Sequence, residues 1–152
     1  MISKTYMKLI VWFSRFHGTI LRISRGRLMH TLKGLDMMLL STQGRRTGQF
    51  KHTPLLYIQI DGKYYCTASF GGNDRNPDWF LNLLANPNVK LLVKQNPVNA
   101  IACSISGSER SEIWNRLVEY YPNYANYQRR TARTIPVVRF DPTPDGKHSQ
   151  DS

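Results

Sequence analysis

From residue 35 onward, apolar positions fall in short β-rich runs separated by Gly, Pro, Asn and Asp, a pattern that predicts strands joined by tight turns. Residues 35–42 (LDMMLLST) have the apolar density of a buried strand and end at the turn formers Gln43-Gly44. Residues 53–60 (TPLLYIQI) and 63–69 (KYYCTAS) flank Asp61-Gly62, a dipeptide suited to two-residue hairpin turns because both positions need positive φ. A second antiparallel pair is expected over 89–94 and 98–104, across Gln95-Asn96-Pro97, and a last strand over 135–140 with Pro136 near its edge. Gly71-Gly72-Asn73-Asp74 reads as a loop. Asn76-Pro77-Asp78 then supplies an N-cap, a first-position proline and a first-turn acid for a helix running to about Ala85. Ser106 and Glu109 have capping-box spacing and open a helix through Tyr120, while Pro122 permits a new helical start carrying Tyr124 and Tyr127.

The period changes near the start of the chain. Over residues 6–23, Tyr6, Leu9, Ile10, Phe13, Phe16 and Ile20 recur at three- and four-residue steps, which places them on one face of a helix, with Lys8, Arg15 and Arg22 on another. Its longest apolar run, Leu9 to Phe13, is far shorter than the ~20 residues that span a bilayer. Two readings stay open for this segment: a helix lying on an anionic membrane with Trp12, Phe13 and Phe16 at the interface, and a helix docked on the domain. Three parts are therefore expected: residues 1–34 as a basic amphipathic helix and linker, 35–140 as the folded domain, and 141–152, rich in Pro, Asp, Gly, Ser and Gln, as a disordered tail. Six expected strands in a chain of 152 residues make the domain mainly β with flanking helices, a compact antiparallel sheet or small barrel.

Charge narrows the partners. Twenty-one Lys and Arg against ten Asp and Glu give a net charge of +11, concentrated in the first third of the chain, which points to an anionic ligand or surface. The two cysteines, Cys66 and Cys103, form no C-x-x-C pair, so a reducing cytoplasm is the default location, and the four histidines show no metal-ligand spacing. Neither a nucleophile elbow nor a Gly-rich dinucleotide fingerprint is present, and most carboxylates sit in turns, helix starts or the tail. An enzyme with so few reactive side chains needs a cofactor for the chemistry. The best anion cradle is residues 44–52, where two glycines permit close backbone approach, Arg45 and Arg46 offer forked donors, and Thr47 and Lys51 add more. Alone, that loop also fits a solvated basic hairpin tip.

The cradle belongs to a longer ordered set: LLSTQGRRTG (39–48), TPL (53–55), ASFGG (68–72), NPDWFLNL (76–83), NP (86–87), YPNYANYQRRT (121–131) and IPVV (135–138). In that order the chain resembles the deazaflavin-dependent nitroreductases, also called coenzyme F-420-dependent quinone reductases, over roughly two-thirds of its length. The resemblance implies a split β-barrel of the flavin-binding, pyridoxamine-phosphate-oxidase-like type, and hydride transfer from reduced coenzyme F-420 to a quinone, nitro compound or similar acceptor. It also implies a cofactor site. Arg45, Arg46, Thr47, Lys51, His52, Thr53, Pro54, Leu55 and Leu56 match the stretch holding the phosphate-bearing tail and the start of the ring pocket. Thr67, Ala68, Ser69 and Phe70, with Asp78, Trp79, Phe80, Leu81 and Asn82, match segments flanking the deazaflavin, and Tyr124 matches a further contact. Tyr121 and Tyr127 match tyrosines lining the substrate pocket, and Ser69 a polar group near the reacting ring, so these three are the candidate catalytic residues.

Family members often carry lysine where this chain has Phe70, which leaves FMN and FAD as alternative cofactors. Without the resemblance, Trp79 and Phe80 read as core aromatics, Ser69 as a strand-end residue, and Tyr121, Tyr124 and Tyr127 as residues sweeping across adjacent helix faces. A nucleic-acid-binding barrel is the rival from another class, but the strands over 55–69 carry few Arg or Lys to track a phosphate backbone, so no nucleic-acid partner is expected. A non-catalytic flavin or lipid carrier is the third reading. A quinone acceptor resides in the bilayer, so the basic N-terminal helix would place a cytoplasmic enzyme peripherally on the inner face of the cell membrane.

Overall fold

The computed structural model describes residues 31–32 and 34–144. The expected N-terminal amphipathic helix and residues 145–152 of the expected tail lie outside these described residues. The order is β1 (Thr31–Leu32), β2 (Leu35–Gln43), β3 (Phe50–Leu56), β4 (Ile58–Ile60), β5 (Lys63–Thr67), a short 3-10 turn (Phe70–Gly72), α1 (Asp78–Ala85), β6 (Asn88–Val93), β7 (Asn96–Ile105), α2 (Gly107–Tyr120), α3 (Asn123–Arg129) and β8 (Val137–Pro142). All strands belong to one curled antiparallel sheet in the order β1-β2-β6-β7-β8-β5-β4, with β3 on β2. The mainly β architecture with flanking helices agrees with the sequence pattern.

Period-two alternation assigns the strand residues to two cores. Tyr64 and Cys66 of β5, with Val138 and Phe140 of β8, enter a cluster closed by Trp79, Phe80 and Leu83 of α1. Their neighbours Tyr65 and Val137 enter the opposite cluster, under Ile113 and Leu117 of α2 and Tyr124 of α3. Phe140 and Leu117 are fully buried, and each such side chain contributes about 1.5–3 kcal/mol.

Several boundaries differ from expectation. The strand expected over 53–60 begins at Phe50 and breaks at Tyr57, because its first part pairs with β2 and its last with β5. Tyr57 is the corner: it is 4% exposed and meets Tyr64 edge-on at 5.7 Å. Asp61-Gly62 makes the anticipated hairpin turn, with φ of 49° and 76°. Lys94 and Gln95 form the next turn, so Asn96 and Pro97 pair with Val93 and Leu92 as strand residues instead of forming the connection. Pro77, not Asn76, caps α1, since the Asn76 Oδ1 accepts a hydrogen bond from Arg133 Nη1 at 2.9 Å. Ser106 caps α2 without a side-chain bond, and the Glu109 carboxylate, the other half of the expected box, pairs with Arg139 at 2.7 Å. The last strand runs to Pro142, where Asp141 receives Arg139 Nε at 3.0 Å and Thr143 N–H bonds Asn99 O at 2.8 Å.

Candidate active site

A cleft of about 480 Å3 opens between β3, the 3-10 turn, the start of α1 and the three tyrosines around α3. Thirteen predicted site residues line it: His52, Thr53, Pro54, Leu55 and Leu56 from β3; Thr67, Ser69 and Phe70; Asp78 and Trp79; and Tyr121, Tyr124 and Tyr127. Met37, Gly71 and Pro77 complete the wall and were not anticipated.

The tyrosines do not sweep across one helix. Tyr121 follows α2 in extended backbone, and Pro122 then starts α3, so the three rings converge. Tyr121 meets Tyr124 edge-on at 5.0 Å and Tyr127 at 6.3 Å, and the hydroxyls of Tyr121 and Tyr127 lie 3.4 Å apart. Asn123 Nδ2 donates to Tyr121 Oη at 3.2 Å, fixing the orientation of that hydroxyl. Tyr124 is 5% exposed, and burial pushes its phenol well above the usual value, so its proton stays in place across physiological pH. The Thr67 hydroxyl lies near enough to draw that pKa partly down, yet Thr67 Oγ1 is buried and meets no partner in good hydrogen-bond geometry. A buried orphan hydroxyl in a cleft wall is suited to a ligand's polar ring edge.

The 44–49 loop is closed by Gly44 N–H to Gln49 O at 2.8 Å and Gly48 N–H to Gly44 O at 2.7 Å. Arg45 leans on α1: its Nη1 and backbone N–H reach Asn82 Oδ1 at 2.9 and 3.2 Å, and its Nη2 reaches Asp78 Oδ1 at 3.1 Å. Asp78 is itself a cleft residue, so the basic loop stands at one end of the cleft. Arg46 and Lys51 are exposed, and Thr47 Oγ1 accepts from Gln49 N–H at 3.3 Å. His52 pairs across the strands with Ser41, Nδ1 to Oγ at 2.7 Å.

Arg45, Arg46, Thr47, Lys51, Ala68, Phe80, Leu81 and Asn82 lie outside the cleft lining. Ala68 and Phe80 are core residues, and Leu81 packs against the same cluster. Asn82 is 4% exposed and anchors Arg45 while donating from Nδ2 to Thr42 Oγ1 at 3.4 Å.

Sequence reasoning missed Arg133. Its guanidinium donates to Ser69 O at 2.9 Å, Ala68 O at 3.1 Å, Asn73 O at 2.7 Å and Asn76 Oδ1, fastening both ends of the Phe70 turn. Nothing separates it in sequence from Arg129 and Arg130, because the carbonyls it meets lie about sixty positions earlier. No cluster of potential metal ligands occurs among the described residues, and none of the described helices is long and apolar enough to cross a membrane.

The curled antiparallel half-barrel with its flanking helices is a split-barrel fold. A candidate pyridoxamine 5′-phosphate oxidase from Listeria innocua shares this fold, with 11% identity, a TM-score of 0.51, and 85% of this chain and 94% of that one covered. The family model for F420H(2)-dependent quinone reductases matches residues 12–142, and the chain belongs to that family. An F420H(2)-dependent quinone reductase of Mycobacterium tuberculosis is 38% identical over 128 residues, covering 82% of this chain and 86% of the relative. The solved structure of an F420-H2 dependent reductase, FDR-A, matches with 36% identity and a TM-score of 0.65 over 69% of this chain and 93% of that chain.

Proposed function

We propose that this protein reduces a quinone with a hydride taken from reduced coenzyme F-420. The observation that carries this reading is the cleft itself: aromatic walls, the unpartnered Thr67 hydroxyl, and a cationic loop at one end. That arrangement fits a planar deazaflavin with an anionic tail. Arg45, Arg46 and Lys51 hold the tail by charge-assisted bonds, while β3 from His52 to Leu56, Thr67 and Trp79 hold the ring. When bound, reduced coenzyme F-420 supplies the hydride. The chain's own work is placement and polarisation: Tyr121, Tyr127 and Ser69 donate hydrogen bonds to an acceptor oxygen as negative charge develops on it. Tyr124, kept protonated by burial, adds a fixed donor at the back of the cleft.

Titration with coenzyme F-420, FMN and FAD tests the cofactor. Binding of coenzyme F-420 at least tenfold tighter than either flavin is expected, and preferential binding of FMN or FAD overturns the assignment. Replacing Arg45 and Arg46 together with Ala should weaken coenzyme F-420 binding by about tenfold or more and flatten its dependence on salt. Unchanged affinity across a salt series would remove the loop from the site.

The N-terminal segment bears on how a quinone in a bilayer is reached. In its sequence, the spacing of Tyr6, Leu9, Ile10, Phe13, Phe16 and Ile20 and of Lys8, Arg15 and Arg22 supports peripheral binding to an anionic membrane. Removal of residues 1–27 should release the protein from anionic vesicles and leave coenzyme F-420 affinity within about threefold, the size of change expected when no charge-assisted contact is lost. Equal co-sedimentation with and without the segment would assign it to docking on the domain.

A further inference from the structure

Asn123, Asn126 and Arg129 follow one another along α3 at three-residue steps, so they share one stripe of the helix, beside the stripe that carries Tyr124 and Tyr127. Each is bonded to the next. Arg129 Nη2 donates to Asn126 Oδ1, Asn126 Nδ2 donates to Asn123 Oδ1 at 3.2 Å, and Asn123 Nδ2 donates to Tyr121 Oη at 3.2 Å. The direction of this row is set at its far end. A guanidinium carries only N–H donors, so Asn126 must turn its carbonyl oxygen to Arg129, which leaves its NH2 group for Asn123. Asn123 in turn must present Oδ1 to Asn126 and its NH2 group to Tyr121. Tyr121 Oη is therefore an acceptor on the α3 side, and its own proton points the other way, toward Tyr127 Oη at 3.4 Å and the cleft that both rings line. Hydrogen bonds in sequence polarise one another, so the cation at the head of the row makes the hydroxyl at its end a stronger donor.

We infer that Asn123, Asn126 and Arg129 are positioning residues that commit Tyr121 as a hydrogen-bond donor to the acceptor oxygen, although none of the three lines the cleft. This inference rests on the quinone-reductase reading, in which negative charge develops on that oxygen as hydride arrives. The row strengthens a bond to charge that is greatest in the transition state, so its loss falls on kcat more than on KM.

Asn123→Asp is the informative variant. A carboxylate has no proton to give, so Tyr121 must turn its own proton out of the cleft toward it, while Asn126 keeps its acceptor and an acid suits the first turn of a helix. With reduced coenzyme F-420 and a naphthoquinone, kcat should fall about tenfold, as in Tyr121→Phe, KM should move less than about twofold, and Tm should drop by no more than about 2 °C. In the Tyr121→Phe background the same change should cost less than about twofold, which separates the row from the field of the added charge. Arg129→Glu puts a pure acceptor at the head of the row and should reverse both amides. In the protein without cofactor, the nuclear Overhauser contact between the Asn123 side-chain amide protons and the Tyr121 ring should therefore be present in the wild type and lost in Arg129→Glu. Wild-type kcat in Asn123→Asp overturns the inference, as does an equal loss of kcat in the Tyr121→Phe background or an Overhauser contact that Arg129→Glu leaves in place. Failure of the wild-type protein to reduce the quinone removes the functional reading and this inference together.

Discussion

Gly72→Ala should destabilise the protein by about 3 kcal/mol, a sum of left-handed strain of about 1–2 kcal/mol and the cost of parting two packed backbones. At φ 79° an added Cβ would stand 2.5 Å from Tyr127 O and 3.0 Å from both Tyr127 Cα and Arg130 Cβ, so the turn must leave α3. For a chain of this size, the loss lowers Tm by roughly 6–12 °C. Gly62→Ala is the matched control: its φ is 76° but nothing lies within 4 Å of the added Cβ, so only the conformational part should appear. Thermal unfolding of both variants separates the terms. Equal Tm values would mean that the contact between the turn and α3 is not what requires glycine.

The largest effect on turnover is expected at the tyrosine pair. Tyr127→Phe and Tyr121→Phe keep the packed rings and remove one donor each, and each should lower kcat/KM for a quinone about tenfold, or about 1.4 kcal/mol of transition-state stabilisation. Because the two hydroxyls lie 3.4 Å apart, the double variant should lose less than the product of the single losses. Coenzyme F-420 affinity should change little in these variants and more in Tyr124→Phe, whose buried hydroxyl lies beside Thr67. Wild-type rates in both single variants and the double variant would assign the pair to packing.

How legible these features were depends on how local their causes are. Asp61-Gly62 announces its hairpin because the turn's φ requirements act on two adjacent residues. Tyr57 gives no such signal. The break there comes from a strand that changes partners, and the apolar run 55–60 reads through it. The same holds for the caps: Asn76 and Ser106–Glu109 have the right residues at the right spacing, but Arg133 claims the Asn76 side chain and Arg139 that of Glu109 from distant segments. Within the site, the three-residue spacing of the tyrosines suggests a spread over a helix, and only the chain reversal at Pro122 brings the rings together. Phe80, Leu81 and Asn82 were implied by resemblance to flank the ring. The structure places Phe80 and Leu81 in or against the core and Asn82 against Arg45.

The measurement that tests the central claim most directly is anaerobic oxidation of reduced coenzyme F-420 by a naphthoquinone in the presence of the purified full-length chain. The account predicts saturable, protein-dependent oxidation that yields one quinol per cofactor oxidised and weakens in the Arg45→Ala, Arg46→Ala variant. Oxidation at the protein-free rate, under conditions where reduced FMN or FAD is turned over, would contradict it.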